Sequence, residues 1–100
     1  MTGDINPGDV VYLSGPMSGL PNFNREAFFE AEKKLMKMGA IVINPAILPK
    51  GMEYKWYMDM AYDGIKVCDV FSQLENWRDS LGAIQERCWA YELEKRVVEL

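Results

Sequence analysis

The stretch Val10-Val11-Tyr12-Leu13-Ser14-Gly15-Pro16-Met17-Ser18-Gly19-Leu20-Pro21-Asn22 decides how this chain is read. Its first four residues are continuously apolar and open on a β-branched pair, the pattern of a parallel strand covered on both faces. The remainder is so rich in Gly, Pro and small hydroxyls that it reads as loop. Asn24 then predicts a helix N-cap, with Phe23 before it and Phe28 placed to form a hydrophobic staple. Phe28, Ala31, Leu35 and Met38 recur at helical spacing, Glu30 is placed to pair with Lys34, and Gly39 supplies a left-handed stop.

Working outward, residues 40–43 read as a second short strand ended by Asn44-Pro45, followed by a Pro- and Gly-bearing loop over 45–53. A second helix fits 54–67, with Tyr57, Ala61, Gly64 or Ile65, and Cys68 as its inner stripe. It leads into a third strand at 69–74 and a loop at 75–79. A third helix runs from Ser80 to about Lys95, and residues 96–100 read as a terminal strand or a fraying helix end. The alternation predicts an α/β three-layer sandwich: a doubly wound parallel sheet of about four strands with right-handed crossovers, β1 inside the sheet. Ligands of such sheets sit outside the carboxyl ends of the strands, so the loops after the first three strands are expected to build one site.

The chain has 100 residues, which reads as one domain spanning 1–100. Eleven Lys and Arg against fifteen Asp and Glu give a net charge of −4, which argues against a nucleic-acid polymer as partner. The absence of His removes imidazole-based catalysis and most catalytic zinc sites, and neither metal nor cofactor is expected. Cys68 and Cys88, without a CxxC, read as buried free thiols of a cytoplasmic protein. Residues 1–9 lack the apolar core of a signal peptide, and no apolar run reaches the ~18 residues of a membrane span, so no membrane association is expected.

Three places carry chemistry. The loop Ser14, Gly15, Pro16, Met17, Ser18, Gly19 offers backbone N–H groups and two hydroxyls near a helix N-terminus, where an anion such as phosphate is favoured; plain connector is the other reading. In the third helix, 100° per residue puts Gly82, Glu86, Trp89, Ala90, Leu93 and Val97 on one stripe, aiming the Glu86 carboxylate at an apolar face. A buried carboxylate is paired, protonated or held at a cleft for function. The rival face, Ile84, Cys88 and Tyr91, would leave Glu86 in solvent. Tyr12, in the central strand, can pack its ring inside while its hydroxyl seeks a carboxylate. Asp59 and Asp63 share one face of the second helix and read most simply as solvated charges.

The run from Val11 to Gly19, then Asn44-Pro45-Ala46, Cys68-Asp69-Val70, and Trp77-Arg78-Asp79-Ser80-Leu81-Gly82-Ala83 with Glu86, resembles a family of small phage and bacterial domains of unknown function. That family is similar in turn to nucleoside 2-deoxyribosyltransferases and 2′-deoxynucleoside 5′-phosphate N-hydrolases. The resemblance covers residues 10 to about 95 and implies a flavodoxin-like or Rossmann-like sheet in a dimer or larger homo-oligomer, acting on a nucleoside or nucleotide. It implies cleavage of an N-glycosidic bond with transfer to another base or to water. Glu86 falls at the nucleophile and Tyr12 at the residue that orients it. Ser80 and Gly82 fall in the pattern that holds a 5′-phosphate. Ala61 stands where those enzymes carry the Asp that protonates or holds the base, which makes Asp59 and Asp63, two residues to either side, candidates for that acid. Ser18 stands where some N-hydrolases carry an Arg. A non-catalytic nucleotide-binding or interaction module on the same fold is the alternative. An NAD-cleaving glycohydrolase would also use a Glu at a cleft, in a chain that looks too short to enclose a dinucleotide.

Overall fold

The apolar runs become four parallel strands: β1 (Val10–Ser14), β2 (Ile41–Ile43), β3 (Val70–Gln73) and β4 (Arg96–Glu99), in the spatial order β2-β1-β3-β4. Three helices connect them, α1 (Arg25–Lys37), α2 (Tyr54–Val67) and α3 (Leu81–Glu92), in a computed structural model that describes residues 5–100. The expected three-layer α/β sandwich with β1 inside the sheet is what the chain forms. The chain end at 96–99 is strand.

Side-chain alternation along the strands assigns the two faces. Val11, Leu13, Val70 and Val98 pack with Phe28, Ala31 and Leu35 of α1. Tyr12 and Phe71 pack with Ala61 and Ile65 of α2 and Ala90 of α3. The sheet is therefore covered by α1 on one face and by α2 and α3 on the other. Chains leave β1 and β3 toward opposite faces, so the crevice of the topological switch opens between the carboxyl ends of these neighbours. There the register sets Ser14 beside Gln73 and Tyr12 beside Phe71.

Several local expectations are revised. Asn24 flanks α1 but is left-handed (φ 60°), as are Asn22 (φ 51°) and Phe23 (φ 54°), and its side chain does not cap the helix. Asn24 Nδ2 instead donates to the Pro16 carbonyl at 2.9 Å, tying the glycine loop to the start of α1. Phe23 is exposed, whereas Phe28 is buried. Glu30 meets Lys33 at 3.9 Å rather than Lys34, an exposed contact of little energetic weight. Gly39, at φ 91°, is the left-handed stop expected of it. Ser80 caps α3, its Oγ accepting from the Ala83 N–H at 3.2 Å. The helix ends three residues before Lys95, because Glu94 turns left-handed (φ 58°) and sends the chain into β4. Cys68 is buried, but Cys88 is exposed, contrary to its reading as a buried thiol. It lies on the outer side of α3, with exposed Ile84 and Tyr91, and the stripe that contains Glu86 faces inward.

Gly64 of α2 sets how closely the helix approaches β1. A methyl group there would lie 3.0 and 3.1 Å from ring carbons of Tyr12, whose other neighbour is the stacked Phe71 ring with centroids 5.9 Å apart. Tyr12 is buried within an apolar cluster, so its ring must shift against packed neighbours to admit the methyl group. In Gly64→Ala, overpacking of about 1–3 kcal/mol outweighs the roughly 1 kcal/mol gained in helix propensity. A lower urea midpoint is the expected outcome, and a raised midpoint would show that the ring moves freely.

Candidate active site

The site is built on one carboxylate. In α3, Ala83, Glu86 and Ala90 are the buried positions, at spacings of three and four, so the helix presents Glu86 to the sheet between two small residues. Tyr12 and Ser14 stand two apart on β1 and project from the same face. The Tyr12 hydroxyl donates to Glu86 Oε2 at 2.9 Å and the Ser14 hydroxyl donates to Oε1 at 2.6 Å. Each carboxylate oxygen thus receives one O–H donor inside the protein.

Two influences oppose each other at Glu86. Burial disfavours the ionised form and dominates, while the two donated hydrogen bonds favour it, and the balance raises the pKa from 4.5 to about 7. The Tyr12 hydroxyl is pushed well above its ordinary value, first by burial and then by the neighbouring Glu86 charge. Tyr12 is therefore a fixed donor rather than a base.

Around this carboxylate lies a cavity of about 880 Å³, in the range of small-molecule sites. The loops following β1, β2 and β3 all contribute to it, as the topology requires. Tyr12, Gly15, Pro16, Met17, Ser18, Ser80, Gly82 and Glu86 line it. Ser14 is fully buried behind the wall and reaches the site through Glu86. Gly19, at φ 82°, is exposed and outside the lining. At the start of α3, backbone N–H groups without helical partners face the same end of the sheet, a setting that favours an anion.

The structure does not bring Asp59 or Asp63 to the cavity. Asp59 pairs with Lys55 at 2.8 Å and Asp63 with Lys66 at 3.4 Å, with their side chains 62% and 74% exposed. Ala61, on the inward side of the same helix, lines the cavity instead. The charged residues that do line it, besides Glu86, are Arg25, Lys50 and Asp79, none of which the sequence singled out. Arg25 donates from Nη2 to the Leu48 carbonyl at 2.8 Å. Gln73 was also missed. Its one available signal was an amide at the end of an otherwise buried strand, where polar groups must find partners. Among the described residues, no group of three or more His, Cys, Asp or Glu side chains could hold a metal ion, and no helix is long and apolar enough to cross a membrane.

A carboxyl group that folds with a pKa near 7 and unfolds with one near 4.5 binds its proton more tightly in the folded state. Its contribution to stability is fully present below pH 4.5 and is lost as pH rises through about 7, a loss of about 3 kcal/mol. Glu86→Gln keeps the shape and removes the titration. Urea midpoints measured at about pH 5 and about pH 8 should fall with pH in the parent protein and fall measurably less in Glu86→Gln. Equal slopes in the two proteins would show that Glu86 titrates normally.

Residues 9–99 match the family described as Domain of unknown function (DUF4406), and the chain belongs to it. A search of curated proteins gives no match. Among solved structures, the CMP N-glycosidase BcmB of Clostridium botulinum is similar with a TM-score of 0.62 and 22% identity, over 90% of this chain and 69% of that one. A 2-desoxiribosyltransferase from Leishmania mexicana is similar with a TM-score of 0.71 and 20% identity, over 92% of this chain. The chain spans 63% of the length of that transferase. At these identities the likeness is one of fold, and it bears out the resemblance to deoxyribosyltransferase-like proteins.

Proposed function

We propose that this DUF4406 member breaks the N-glycosidic bond of a 2′-deoxynucleoside or its 5′-monophosphate, with Glu86 as the nucleophile. The observation that carries the reading is the Glu86 carboxyl, buried at the cavity wall with one hydroxyl donor on each oxygen. The two similar structures, an N-glycosidase and a deoxyribosyltransferase, support it at the level of fold.

In this reading an oxygen of ionised Glu86 attacks the anomeric carbon, the C–N bond breaks, and the base leaves with the bonding pair and takes a proton from water. The transition state has oxocarbenium character, which a carboxylate stabilises, and the product is a glycosyl ester. Water or a second base then attacks the same carbon and releases Glu86. Tyr12 and Ser14 hold the carboxylate so that its rotamer is fixed before attack, which removes an entropic part of the barrier. Gly15, Pro16, Met17 and Ser18, together with Ser80 and Gly82, cradle the sugar or a 5′-phosphate with hydroxyls and backbone N–H groups. The reaction requires no cofactor and no metal, and the substrate is a small molecule.

A second reading, a nucleotide-binding module without turnover, is favoured by one observation: α2 presents Ala61 to the cavity and turns Asp59 and Asp63 outward. Incubation with deoxynucleosides and their monophosphates, with chromatography for free base, separates the two. The N-glycosidase reading expects base release that rises with pH through about 7, because only ionised Glu86 attacks. Glu86→Gln should lower turnover at least roughly a thousandfold while the protein stays folded. Binding with no free base from any of these substrates would favour the module.

A further inference from the structure

The Ser14 hydroxyl could point its single hydrogen in several directions, and what it does decides whether Glu86 Oε1 is met by a donor. Two residues outside the cavity lining govern that choice. Arg87, next to Glu86 on α3, donates from Nη1 to Gln73 Oε1 at 2.7 Å. A guanidinium has only donors, so this contact identifies the oxygen end of the Gln73 amide. The nitrogen end donates to Ser14 Oγ at 3.2 Å and to the Ala83 carbonyl, an acceptor, at 3.1 Å. Both ends of the amide therefore agree on one orientation. With an N–H already directed at Ser14 Oγ, the Ser14 hydrogen turns to Glu86 Oε1, 2.6 Å away.

We infer that Arg87 and Gln73 are positioning residues, a relay that fixes the Ser14 hydroxyl as a donor and so favours the ionised form of Glu86 and aims it for attack. Gln73 is fully buried, so its amide has no water to turn toward. Arg87 is held from three further sides. Its guanidinium carbon lies 4.2 Å from the centre of the Trp77 ring, and Nη2 donates to the Tyr91 hydroxyl at 3.2 Å and to Glu99 at 3.3 Å. A charge-assisted donor at the head of a hydrogen-bonded chain polarises each bond after it, and the chain ends at the carboxylate.

Other charged or titratable groups line the cavity that Glu86 faces, from each element around it. Tyr12 comes from β1, Arg25 from α1, and Tyr54 and Tyr57 from α2, while Lys50 and Asp79 come from the loops after β2 and β3. Of these, Tyr12 bonds to the carboxyl. Cys68, in the cluster around the Tyr12 ring, donates to the Ile65 carbonyl instead. The relay reaches Glu86 without any of them, through Gln73 of β3 and Ser14 of β1.

The catalytic consequence rests on the N-glycosidase reading, but the relay itself can be tested without substrate. The carbon-13 resonance of the Glu86 carboxyl, identified by its absence in Glu86→Gln, is titrated in the intact protein, in Arg87→Met and in Gln73→Met. The expected result is a midpoint higher by roughly half a pH unit or more in a folded variant, since a donor to the ionised form has been weakened. Arg87 is partly exposed, so its variant is the one expected to fold should the buried Gln73→Met fail. In the same proteins the pH profile of kcat/KM should move alkaline by the same amount, whereas a merely structural loss would lower it at every pH. An unchanged Glu86 midpoint in the folded variants would overturn the relay. No base release from the parent protein would overturn the proposed reaction and leave the titration readable.

Discussion

A carboxylate buried against a parallel sheet is costly unless its oxygens are met, and the bonds from Tyr12 and Ser14 to Glu86 are the constraint around which this molecule is arranged. The two donors reach the same carboxyl because residues two apart on a strand share a face. The strand carrying them lies inside the sheet, so α2 and α3 close over that face. Gly64 lets α2 come close enough to hold the Tyr12 ring, and Ala83 and Ala90 let α3 bring Glu86 close enough to bond. Small residues at these approaches are what allow a polar cluster to stand where a doubly wound sheet opens its crevice.

Much of this was legible in the sequence, for reasons that can be stated residue by residue. The bounds of α2, 54–67, follow from its flanking loop and its inner stripe. The inward aim of Glu86 follows from period 3.6, and the Tyr12–Glu86 contact from the need of a buried hydroxyl for a partner. Ser14 was legible only as loop because it borders a glycine run, although its spacing from Tyr12 already put it on the Glu86 face. Asn24 lies where a cap belongs, yet its side chain serves the Pro16 carbonyl, a contact across eight residues that local propensity does not encode. Cys88 borders an apolar groove of about 430 Å³ between α2 and α3, whose lining of Tyr54, Met58, Leu81, Ile84 and Trp89 is as apolar in sequence as a core. Gln73 and Arg87 act through tertiary contacts among β3, α3 and β4, which no periodicity reveals.

The charge pattern of the cavity is the other feature that sequence reading left open. Asp59 and Asp63 bracket Ala61, but a helix turns 100° per residue, so positions two away point far from it. The structure spends both on lysine pairs in solvent and leaves α2 without an acid at the cavity. Arg25, Lys50 and Asp79 come from the loops and helix start that ring the opening instead. The fold thus supplies a buried nucleophile candidate from its core and varied charge from its rim, the division expected where rigid elements hold chemistry and connections tune what is bound.

The proposed reaction stands on a covalent bond between Glu86 and the sugar. Peptide mapping by mass spectrometry after rapid acid quench, with a deoxynucleoside monophosphate as substrate, tests it most directly. The expected result is a deoxyribosyl phosphate adduct on the peptide that contains Glu86, localised to that side chain by fragmentation. Release of free base with Glu86 unmodified, or with the sugar attached to another residue, would contradict it.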